Sequence, residues 1–293
     1  MLTSTSSRQT ESRPPETSAT TRSDGERTPP ARTASSTEPG IPTDSQTAII
    51  ARLNDPPTAI HLHPTAPLAP RVLLPGDPGR ALALAQELLT EPRMFNHNRG
   101  LWGYTGAAGD GELLTIQSTG IGGPSAAIVL EELIALGVTR AIRVGTAGAL
   151  DGVLGLGDLL VVSEAICADG TSRALGAGER IPADPGLLAS LCRCAPHAPS
   201  ATIVSSDLFY ETGEPRFAAW HAQGARAVEM EAATLFAVGA LRGIAVGCVL
   251  AITDLLSGPR ERIDAAHLHD AGLAVGRIGA RALGAGGAAV PPR

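Results

Sequence analysis

The chain has 293 residues, of which 43% are hydrophobic and only 3% aromatic, so its core must be built from Ala, Val, Leu and Ile. All 23 residues in the Lys+Arg count are arginines, which excludes a Walker A phosphate loop and Schiff-base chemistry, because both need a lysine. A formal net charge of −6 argues against a nucleic-acid-binding surface, which requires a basic stripe.

Residues 1 to about 45 are mainly Ser, Thr, Pro, Glu and Arg. Such a composition cannot bury enough apolar surface to offset the entropy lost on ordering. We therefore predict a disordered tail over residues 1–45, and a short flexible tail over residues 285–293. Residues 46–284 alternate short apolar runs with longer Ala/Leu-rich stretches, which is typical of a sheet covered by helices. We predict one α/β domain there, with a central mixed β-sheet flanked by helices.

Seven strands and five helices are predicted within this domain. The strands, in chain order, are Val72–Leu74, Leu113–Gln117, Ala141–Val144, Asp158–Val162, Thr202–Val204, Ala227–Met230 and Ile244–Ile252. The helices are Gly79–Leu89, Pro124–Leu136, Pro215–Gln223, Ala232–Arg242 and Ile263–Leu283. The first and third strands each run into a predicted glycine turn, at residues 75–77 and 145–148. Turns that follow strands are where α/β sheets bind ligands.

Cysteine spacing and hydropathy narrow the protein class further. The four cysteines, at positions 167, 192, 194 and 248, contain no CxxC pair, so we expect neither a metal site nor a disulfide framework. No run approaches the roughly 18 apolar residues of a membrane span, and the N-terminus lacks the apolar stretch of a signal peptide. We expect a cytoplasmic protein that binds neither membrane nor nucleic acid.

Two arginines lie where an anion would be held. Arg80 follows the first strand in a segment that turns into a helix opened by Pro78, and the first N–H groups of such a helix attract anions. Arg143 lies inside an apolar strand, and a buried guanidinium needs a partner. The alternatives are an ordinary glycine turn with Arg80 on a solvated face, and an internal ion pair between Arg143 and a carboxylate.

Carboxylates mark two further strand ends. Glu229, Met230 and Glu231 lie where a strand turns into a helix, and Asp254 lies at the end of the most apolar strand. Taken alone, a glutamate at a helix start also fits a dipole or capping role, and an aspartate at a strand end also fits the cap of the following segment.

Together and in this order, these motifs resemble the nucleoside phosphorylase-I family, the purine nucleoside and uridine phosphorylases of trimeric or hexameric type. The resemblance runs from about His61 to Asp254. The matched features are Gly-Asp-Pro-x-Arg at 76–80, Asn-Arg-Gly at 98–100, Gly-Tyr-Thr-Gly at 103–106, Arg-Val-Gly-Thr-Ala-Gly at 143–148, Ser-Asp-Leu-Phe-Tyr at 206–210, Val-Glu-Met-Glu-Ala-Ala at 228–233 and Thr-Asp at 253–254.

The resemblance implies a role for each matched position. Phosphate would be bound by Gly76, Arg80, Arg143 and Thr146, with Arg99 supplied by the neighbouring subunit. The ribose would be bound by Met230 and Glu231, with His61, or less readily His63, reaching from the neighbour to the 5′-hydroxyl. The base would be contacted by Phe209, Val228, Glu229 and Asp254. These roles require a homo-oligomer of at least two subunits. A hexamer would meet this requirement too.

The implied reaction is phosphorolysis of purine ribonucleosides or deoxyribonucleosides to a free base and a pentose 1-phosphate, as in nucleoside salvage. Inorganic phosphate would be a co-substrate, and no other cofactor and no metal is expected. Phosphate would attack the anomeric carbon while Asp254 protonates the purine at N7, and general acid catalysis of this kind contributes about 10²–10⁴-fold. Burial at the end of an apolar strand favours the protonated carboxyl that this step needs.

Two departures from the family and three alternative functions stay open. The arginine that often assists the aspartate a little over ten residues later is replaced by Ala266, His267 and Leu268, and either Arg260 or Arg262 could substitute. A loop at 211–216 loosely resembles the uracil-binding loop of uridine phosphorylases, with Glu in place of Gln. The alternatives are a uridine phosphorylase, a related nucleosidase that uses water, and a non-catalytic nucleoside-binding protein. The sequence does not decide the preferred base or the tolerance of a 5′-methylthio group.

Overall fold

The computed structural model of the chain describes residues 58–210 and 214–285, which belong to one compact unit. The predicted tail over residues 1–45, residues 46–57 of the predicted domain and residues 286–293 lie outside the described residues. Ala285, with which the predicted C-terminal tail begins, is 4% exposed and donates a backbone hydrogen bond to Ala280.

The described residues form a mixed α/β domain, as the sequence predicts. The strands are β1 (Arg71–Leu74), β2 (Thr90–Asn96), β3 (Gly103–Ala107), β4 (Leu113–Gln117), β5 (Arg140–Ala149), β6 (Leu159–Ala168), β7 (Arg180–Pro182), β8 (Ser200–Ser206), β9 (Ala227–Glu229), β10 (Ala245–Leu255) and β11 (Glu261–Arg262). The helices are α1 (Pro78–Leu88), α2 (Gly123–Ala135), α3 (Gly170–Ala174), α4 (Pro185–Cys194), α5 (Glu214–Ala222), α6 (Ala232–Arg242) and α7 (Ala265–Ala282).

All eleven of these strands belong to one mixed sheet, in the order β11-β10-β6-β8-β9-β5-β1-β4-β3-β2, with β7 paired to β6. Strand β5 pairs in parallel with both β1 and β10, and antiparallel with β9. Because β10 pairs with β5 as well as with β6, the strands β10, β6, β8, β9 and β5 close into a ring. Strand β5 is therefore the junction between this ring and the open part of the sheet.

Helices cover both faces of the sheet. Alternate residues of β1 enter different hydrophobic clusters: Val72 and Leu74 pack in the cluster that contains residues of α2 and α6, and Leu73 packs in the cluster that contains residues of α1, α4 and α7. A strand that is buried on both faces needs a continuous apolar run. The apolar run Val72–Leu74 is the pattern that predicted β1.

Every predicted strand and helix is present, with the helix ends shifted by at most two residues. The predicted glycine turn at residues 145–148 is wrong, because β5 continues through it and pairs with β10 as far as Ala149. Strand β10 likewise runs on to Leu255, so Asp254 lies inside the strand and not after it.

Strands β2, β3, β7 and β11 and helices α3 and α4 were not predicted. Most of β2 is exposed and contains Pro92, so it lacks the alternating pattern of a half-buried strand. Helix α4 is short and buries only Leu187 and Leu191, one turn apart, beneath an N-terminus capped by the Asp184 side chain. Within the described residues, no helix has the length and apolar character needed to cross a membrane.

Candidate active site

The candidate site is built around Arg143, beside the carboxyl end of β1. Leu74, the last residue of β1, pairs in register with Arg143 on β5. Arg143 is 3% exposed, and a Cβ at Gly145 would lie 2.7 Å from its Cζ atom. The glycine two residues along the strand therefore leaves the space in which the guanidinium lies.

Two carboxylates hold Arg143, while one of its nitrogens has no partner in the described part of the chain. Its Nε donates to Glu229 Oε2 at 2.8 Å, and its Nη2 lies 2.5 Å from Glu231 Oε2. Burial alone would lower the pKa of Arg143, but the two carboxylates outweigh it, so its pKa is raised and the side chain stays charged. Among the described residues, nothing hydrogen-bonds to its buried Nη1 atom.

Glu229 fixes Arg143 to the start of α6. Its Oε1 accepts a hydrogen bond from the Ser205 hydroxyl at 2.5 Å, and its carboxylate also accepts from the backbone N–H groups of Glu231 and Ala232. Both carboxylate oxygens of Glu229 are thus directed at protein donors. Its contact with the base stays a prediction.

Glu231 lies on the other side of the Arg143 guanidinium. Its Oε1 accepts from the backbone N–H of Gly122 at 2.6 Å, in the glycine-rich turn that leads into α2. Burial raises the pKa of Glu231, Arg143 opposes that effect, and the neighbouring Glu229 adds to the rise. Met230, between the two glutamates, is half-buried.

Arg80 provides a second cation beside this cluster. It is half-buried and runs along α7, where a Cβ at Gly272 would lie 3.1 Å from its Nε atom. Asp77 accepts from the backbone N–H of Arg80, but within the described residues the guanidinium itself makes no hydrogen bond or ion pair. Burial lowers the pKa of Arg80, Asp77 opposes that effect, and Arg143 adds to the lowering.

Gly76 adjoins the unpaired nitrogen of Arg143, and Thr146 lies further along the same strand as Arg143. A Cβ at Gly76 would lie 3.9 Å from the unpaired Nη1 of Arg143 and 3.3 Å from the carbonyl oxygen of Gly120. Thr146 is half-buried on β5, three residues after Arg143. The structure therefore brings together Gly76, Arg80 and Arg143, three of the predicted phosphate-binding positions. The role of Thr146 stays a prediction.

Asp254 forms a second cluster with Arg260 and Phe209. Its Oδ1 accepts from Arg260 Nη2 at 2.8 Å and from Arg260 Nε at 3.0 Å, and its Oδ2 accepts from the Thr253 hydroxyl. The Arg260 guanidinium lies 4.9 Å from the centroid of the Phe209 ring. Of the two arginines left open by the sequence, Arg260 is the one that the structure pairs with Asp254.

Strand pairing places the two clusters side by side. Gly148 on β5 pairs with Asp254 of β10 on one side and with Val228 of β9 on the other. Glu229 follows Val228 directly in the chain, and Glu231 lies two residues further on. The residues predicted to bind the base therefore adjoin those predicted to bind the ribose.

His61 and Arg99 are grouped with one another. Asn98 donates from its side-chain Nδ2 to the carbonyl oxygen of His61 at 2.9 Å, and Arg99 is exposed in the next position. Within the described residues, no hydrogen bond or ion pair joins His61 or Arg99 to Arg80, Arg143 or Asp254.

Three contributors were not found by the sequence analysis. Gly122 supplies the backbone donor to Glu231, Ser205 donates to Glu229, and Gly272 adjoins Arg80. The Gly-Ile-Gly-Gly-Pro run at 120–124 is a helix-start signal that could have indicated the role of Gly122. Ser205 and Gly272 have no such signal in the local sequence. Among the described residues, no group of three or more His, Cys, Asp or Glu side chains could hold a metal ion.

Comparisons with known proteins extend over most of the described residues. The model of the phosphorylase superfamily matches residues 70–283. A guanosine phosphorylase from Halorubrum lacusprofundi is 36% identical over 199 residues, which cover 66% of this chain and 81% of that protein. A DeoD-type purine nucleoside phosphorylase from Streptococcus pyogenes is 35% identical over 201 residues, 66% of this chain and 84% of that protein. A uridine phosphorylase from Treponema pallidum is 34% identical over 217 residues, 68% of this chain and 83% of that protein.

Proposed function

The chain belongs to the phosphorylase superfamily, and we propose that it converts purine nucleosides and inorganic phosphate into a free base and a pentose 1-phosphate. The observation that carries this proposal is the pair of cations beside the end of β1. Arg80 has no partner for its guanidinium within the described residues, and Arg143 Nη1 is buried and unpaired there. A buried donor left without an acceptor costs about 1–3 kcal/mol, and an oxyanion would relieve that cost and the repulsion between the two arginines.

Phosphate fits this position better than water does. With a neutral nucleophile, the Arg80 guanidinium would stay without a counter-ion among the described residues, and the buried Nη1 atom of Arg143 would meet only an uncharged acceptor. A phosphate dianion accepts several hydrogen bonds at once, and charge-assisted bonds of this kind are roughly twice as strong as neutral ones. The two arginines, with Thr146 and the backbone near Gly76, would position and desolvate the attacking oxygen. Phosphorolysis is therefore preferred to hydrolysis.

The ribose would lie against Met230 and Glu231. Each carboxylate oxygen of Glu231 already accepts one hydrogen bond, from Gly122 or from Arg143, and each retains a second lone pair for a sugar hydroxyl. The same carboxylate would thus connect the sugar to the phosphate-binding arginine. His61 and Arg99 would come from a neighbouring subunit, so the complete site requires at least a dimer.

The base would lie beside Val228, Phe209 and Asp254. Breaking the glycosidic bond leaves negative charge on the base, and a proton delivered to N7 of a purine neutralises it. Asp254 is the acid in this scheme. Its oxygens accept from Arg260 and Thr253 in the structure, so it would have to take up a proton when the nucleoside binds before it can deliver one to N7. Uracil has no N7, which favours purines, although a uridine phosphorylase is among the similar proteins. The cytoplasmic location and the two tails stay predictions.

The test is base release from inosine, guanosine, adenosine, 5′-methylthioadenosine and uridine, each with and without inorganic phosphate. We expect release from a purine nucleoside to depend on phosphate and to produce pentose 1-phosphate. Equal rates without phosphate, with free ribose as the product, would show a hydrolase. Uridine as the best substrate would favour the uridine phosphorylase alternative.

A further inference from the structure

Glu132 is a buried carboxylate that the proposed mechanism does not use. It lies on α2, is 4% exposed and is directed at the segment around His61. Its oxygens accept from the backbone N–H of His61 at 3.0 and 2.9 Å and from the backbone N–H of Leu62 at 2.8 Å. Glu132 Oε1 also lies 2.6 Å from His61 Nδ1. One carboxylate thus holds both the backbone and the ring of His61.

The charge of Glu132 determines which ring nitrogen carries the proton. Burial would raise the pKa of Glu132, but the hydrogen bonds from His61 and from the neighbouring backbone N–H groups outweigh it, and its pKa is lowered. The side chain is therefore a carboxylate near neutral pH, and a carboxylate only accepts hydrogen bonds. His61 Nδ1 must then be the donor. In the neutral imidazole this leaves Nε2 as an acceptor.

The same cluster fixes the segment that carries Arg99. Asn98 Nδ2 donates to the carbonyl oxygen of His61, and Asn96 Oδ1 accepts from the backbone N–H of His63. Arg99 has a φ of 57°, a left-handed conformation that is uncommon for a residue other than glycine and that persists where the surroundings enforce it. Side-chain hydrogen bonds therefore join the His61 segment to the turn that carries Arg99, and the His61 side chain is 30% exposed.

We propose that Glu132 is a positioning residue that presents His61 Nε2 as a hydrogen-bond acceptor to the 5′-hydroxyl of a nucleoside in the neighbouring subunit. This inference rests on the proposed function, which supplies the nucleoside and the shared site. It also predicts which 5′ substituent of the nucleoside is preferred, which the motifs leave open. An acceptor favours a 5′ substituent that can donate, so a 5′-hydroxyl is preferred to 5′-fluoro or 5′-methylthio groups, which carry no donor hydrogen.

The experiment compares inosine with 5′-deoxy-5′-fluoroinosine, because fluorine is close in size to a hydroxyl but cannot donate. We expect the wild-type protein to favour inosine by about tenfold in kcat/KM, the effect of one well-formed hydrogen bond. In Glu132→Gln the side-chain amide can donate to Nδ1, so Nε2 is no longer held as an acceptor. The preference should then fall at least threefold.

Glu131→Gln is the matched control. Glu131 is the adjacent residue of α2, and its Oε2 accepts from Arg242 Nε at 2.7 Å, so the substitution removes a carboxylate from the same helix without touching His61. It should leave the preference for inosine unchanged. Thermal melting of both variants measures how far each substitution affects folding.

A double-mutant cycle separates positioning from a general structural effect. If Glu132 acts through His61, Glu132→Gln should not change the inosine preference further in a His61→Ala background. A further fall of threefold or more in that background would overturn the proposal, as would a single Glu132→Gln variant that keeps the full preference.

A second measurement does not depend on the reaction. The ¹⁵N resonances of His61, identified by their loss in His61→Ala, report which ring nitrogen is protonated. We expect Nδ1–H in the wild type and in Glu131→Gln, with loss of that tautomer in Glu132→Gln. An Nε2–H tautomer in the wild type would refute the inference even if phosphorolysis is found. Absence of phosphorolysis together with the Nδ1–H tautomer would instead refute the proposed function.

Discussion

Arg143 and Arg80 differ in the partners that the folded chain supplies to their guanidinium groups. Arg143 is bound to two carboxylates, Glu229 and Glu231, and has one free nitrogen among the described residues. Arg80 contacts no carboxylate there through its guanidinium. The two arginines therefore fill different roles around the same proposed anion: one is part of the folded core, and the other is available mainly to the ligand.

The first prediction follows from that difference. Arg80→Ala should weaken phosphate binding at least tenfold, since a charge-assisted hydrogen bond contributes about 1.5–3 kcal/mol, with little loss of stability. Arg143→Ala should lower phosphate-dependent kcat/KM by at least as much and also destabilise the protein by about 3–5 kcal/mol, because it leaves buried carboxylates unpaired. Phosphate titrations and denaturant unfolding measure the two effects. Equal stability losses would contradict the distinction.

The second prediction concerns the proton at N7. Asp254→Asn can still donate a hydrogen bond but has no proton to transfer, so kcat should fall about 10²-fold or more with a modest change in KM. A purine nucleoside that is already methylated at N7 carries its positive charge and should be turned over by the variant. Loss of both substrates to the same extent would remove Asp254 from the role of acid.

Arg260 and Arg262 allow a controlled test of the same site, with Arg260→Ala as the test and Arg262→Ala as the control. Arg260 contacts Asp254 through two nitrogens, whereas Arg262 is paired with it only through the strand backbone. Arg260→Ala should therefore lower kcat for inosine more than for the 7-methylated nucleoside. Arg262→Ala should alter neither by more than about twofold, since exposed substitutions away from such features change little.

Helix α7 limits the path of Arg80. Gly272 lies on its buried face, and a Cβ there would be 3.1 Å from Arg80 Nε and 3.3 Å from its Cδ. Alanine is the better helix former by about 1 kcal/mol, so the glycine is unfavourable for the helix alone. Its benefit is the space that it leaves for the arginine.

The third prediction tests that space. Gly272→Ala should displace the Arg80 side chain and raise KM for phosphate at least threefold, while KM for the nucleoside stays within twofold. The helix should remain folded, because the helix propensity gained offsets the closer contact. Gly178→Ala is the control, since a Cβ at Gly178 meets no atom within 4 Å. An unchanged KM for phosphate in Gly272→Ala would show that Arg80 has room to move.

At the scale of the whole molecule, three carboxylates link distant segments and depend on their charge. The hydrogen bond from Arg71 lowers the pKa of Asp110. Burial opposes the same shift in Asp151 and Glu132, but the contacts from Arg226 and from His61 outweigh it and their pKa values are lowered too. A carboxyl whose pKa is lower in the folded state stabilises the fold above its unfolded pKa, and that stability is lost as the pH falls through the folded value.

The fourth prediction is therefore acid sensitivity. The melting temperature should be nearly constant from pH 7 to about pH 5 and should fall below about pH 4, the usual range of Asp and Glu. Glu231, whose pKa burial raises, works in the opposite direction and reduces the effect. Asp151→Asn should lower the melting temperature at pH 7 and flatten its acid dependence. A variant with the wild-type acid slope would exclude Asp151 as a contributor.

The sequence by itself determined the family, and the order and approximate bounds of seven strands and five helices. Continuous apolar runs predict strands buried on both faces, and the Ala/Leu-rich stretches predict the helices that cover them. These signals lie in neighbouring residues of the chain, so they can be recognised without the tertiary structure. The motifs also singled out Gly76, Arg80 and Arg143 as candidates for phosphate binding, and the structure brings these three residues together although 67 positions separate the first from the last.

Only the tertiary structure decided which side chains meet. Arg143 and Glu229 are 86 positions apart, and His61 and Glu132 are 71 apart, distances at which no periodicity or spacing relates two residues. The choice of Arg260 over Arg262, and the turning of Glu229 towards Arg143, depend on how β5, β9 and β10 pair. A hydrogen bond needs two atoms within about 3 Å of each other, and strand register fixes positions at that scale.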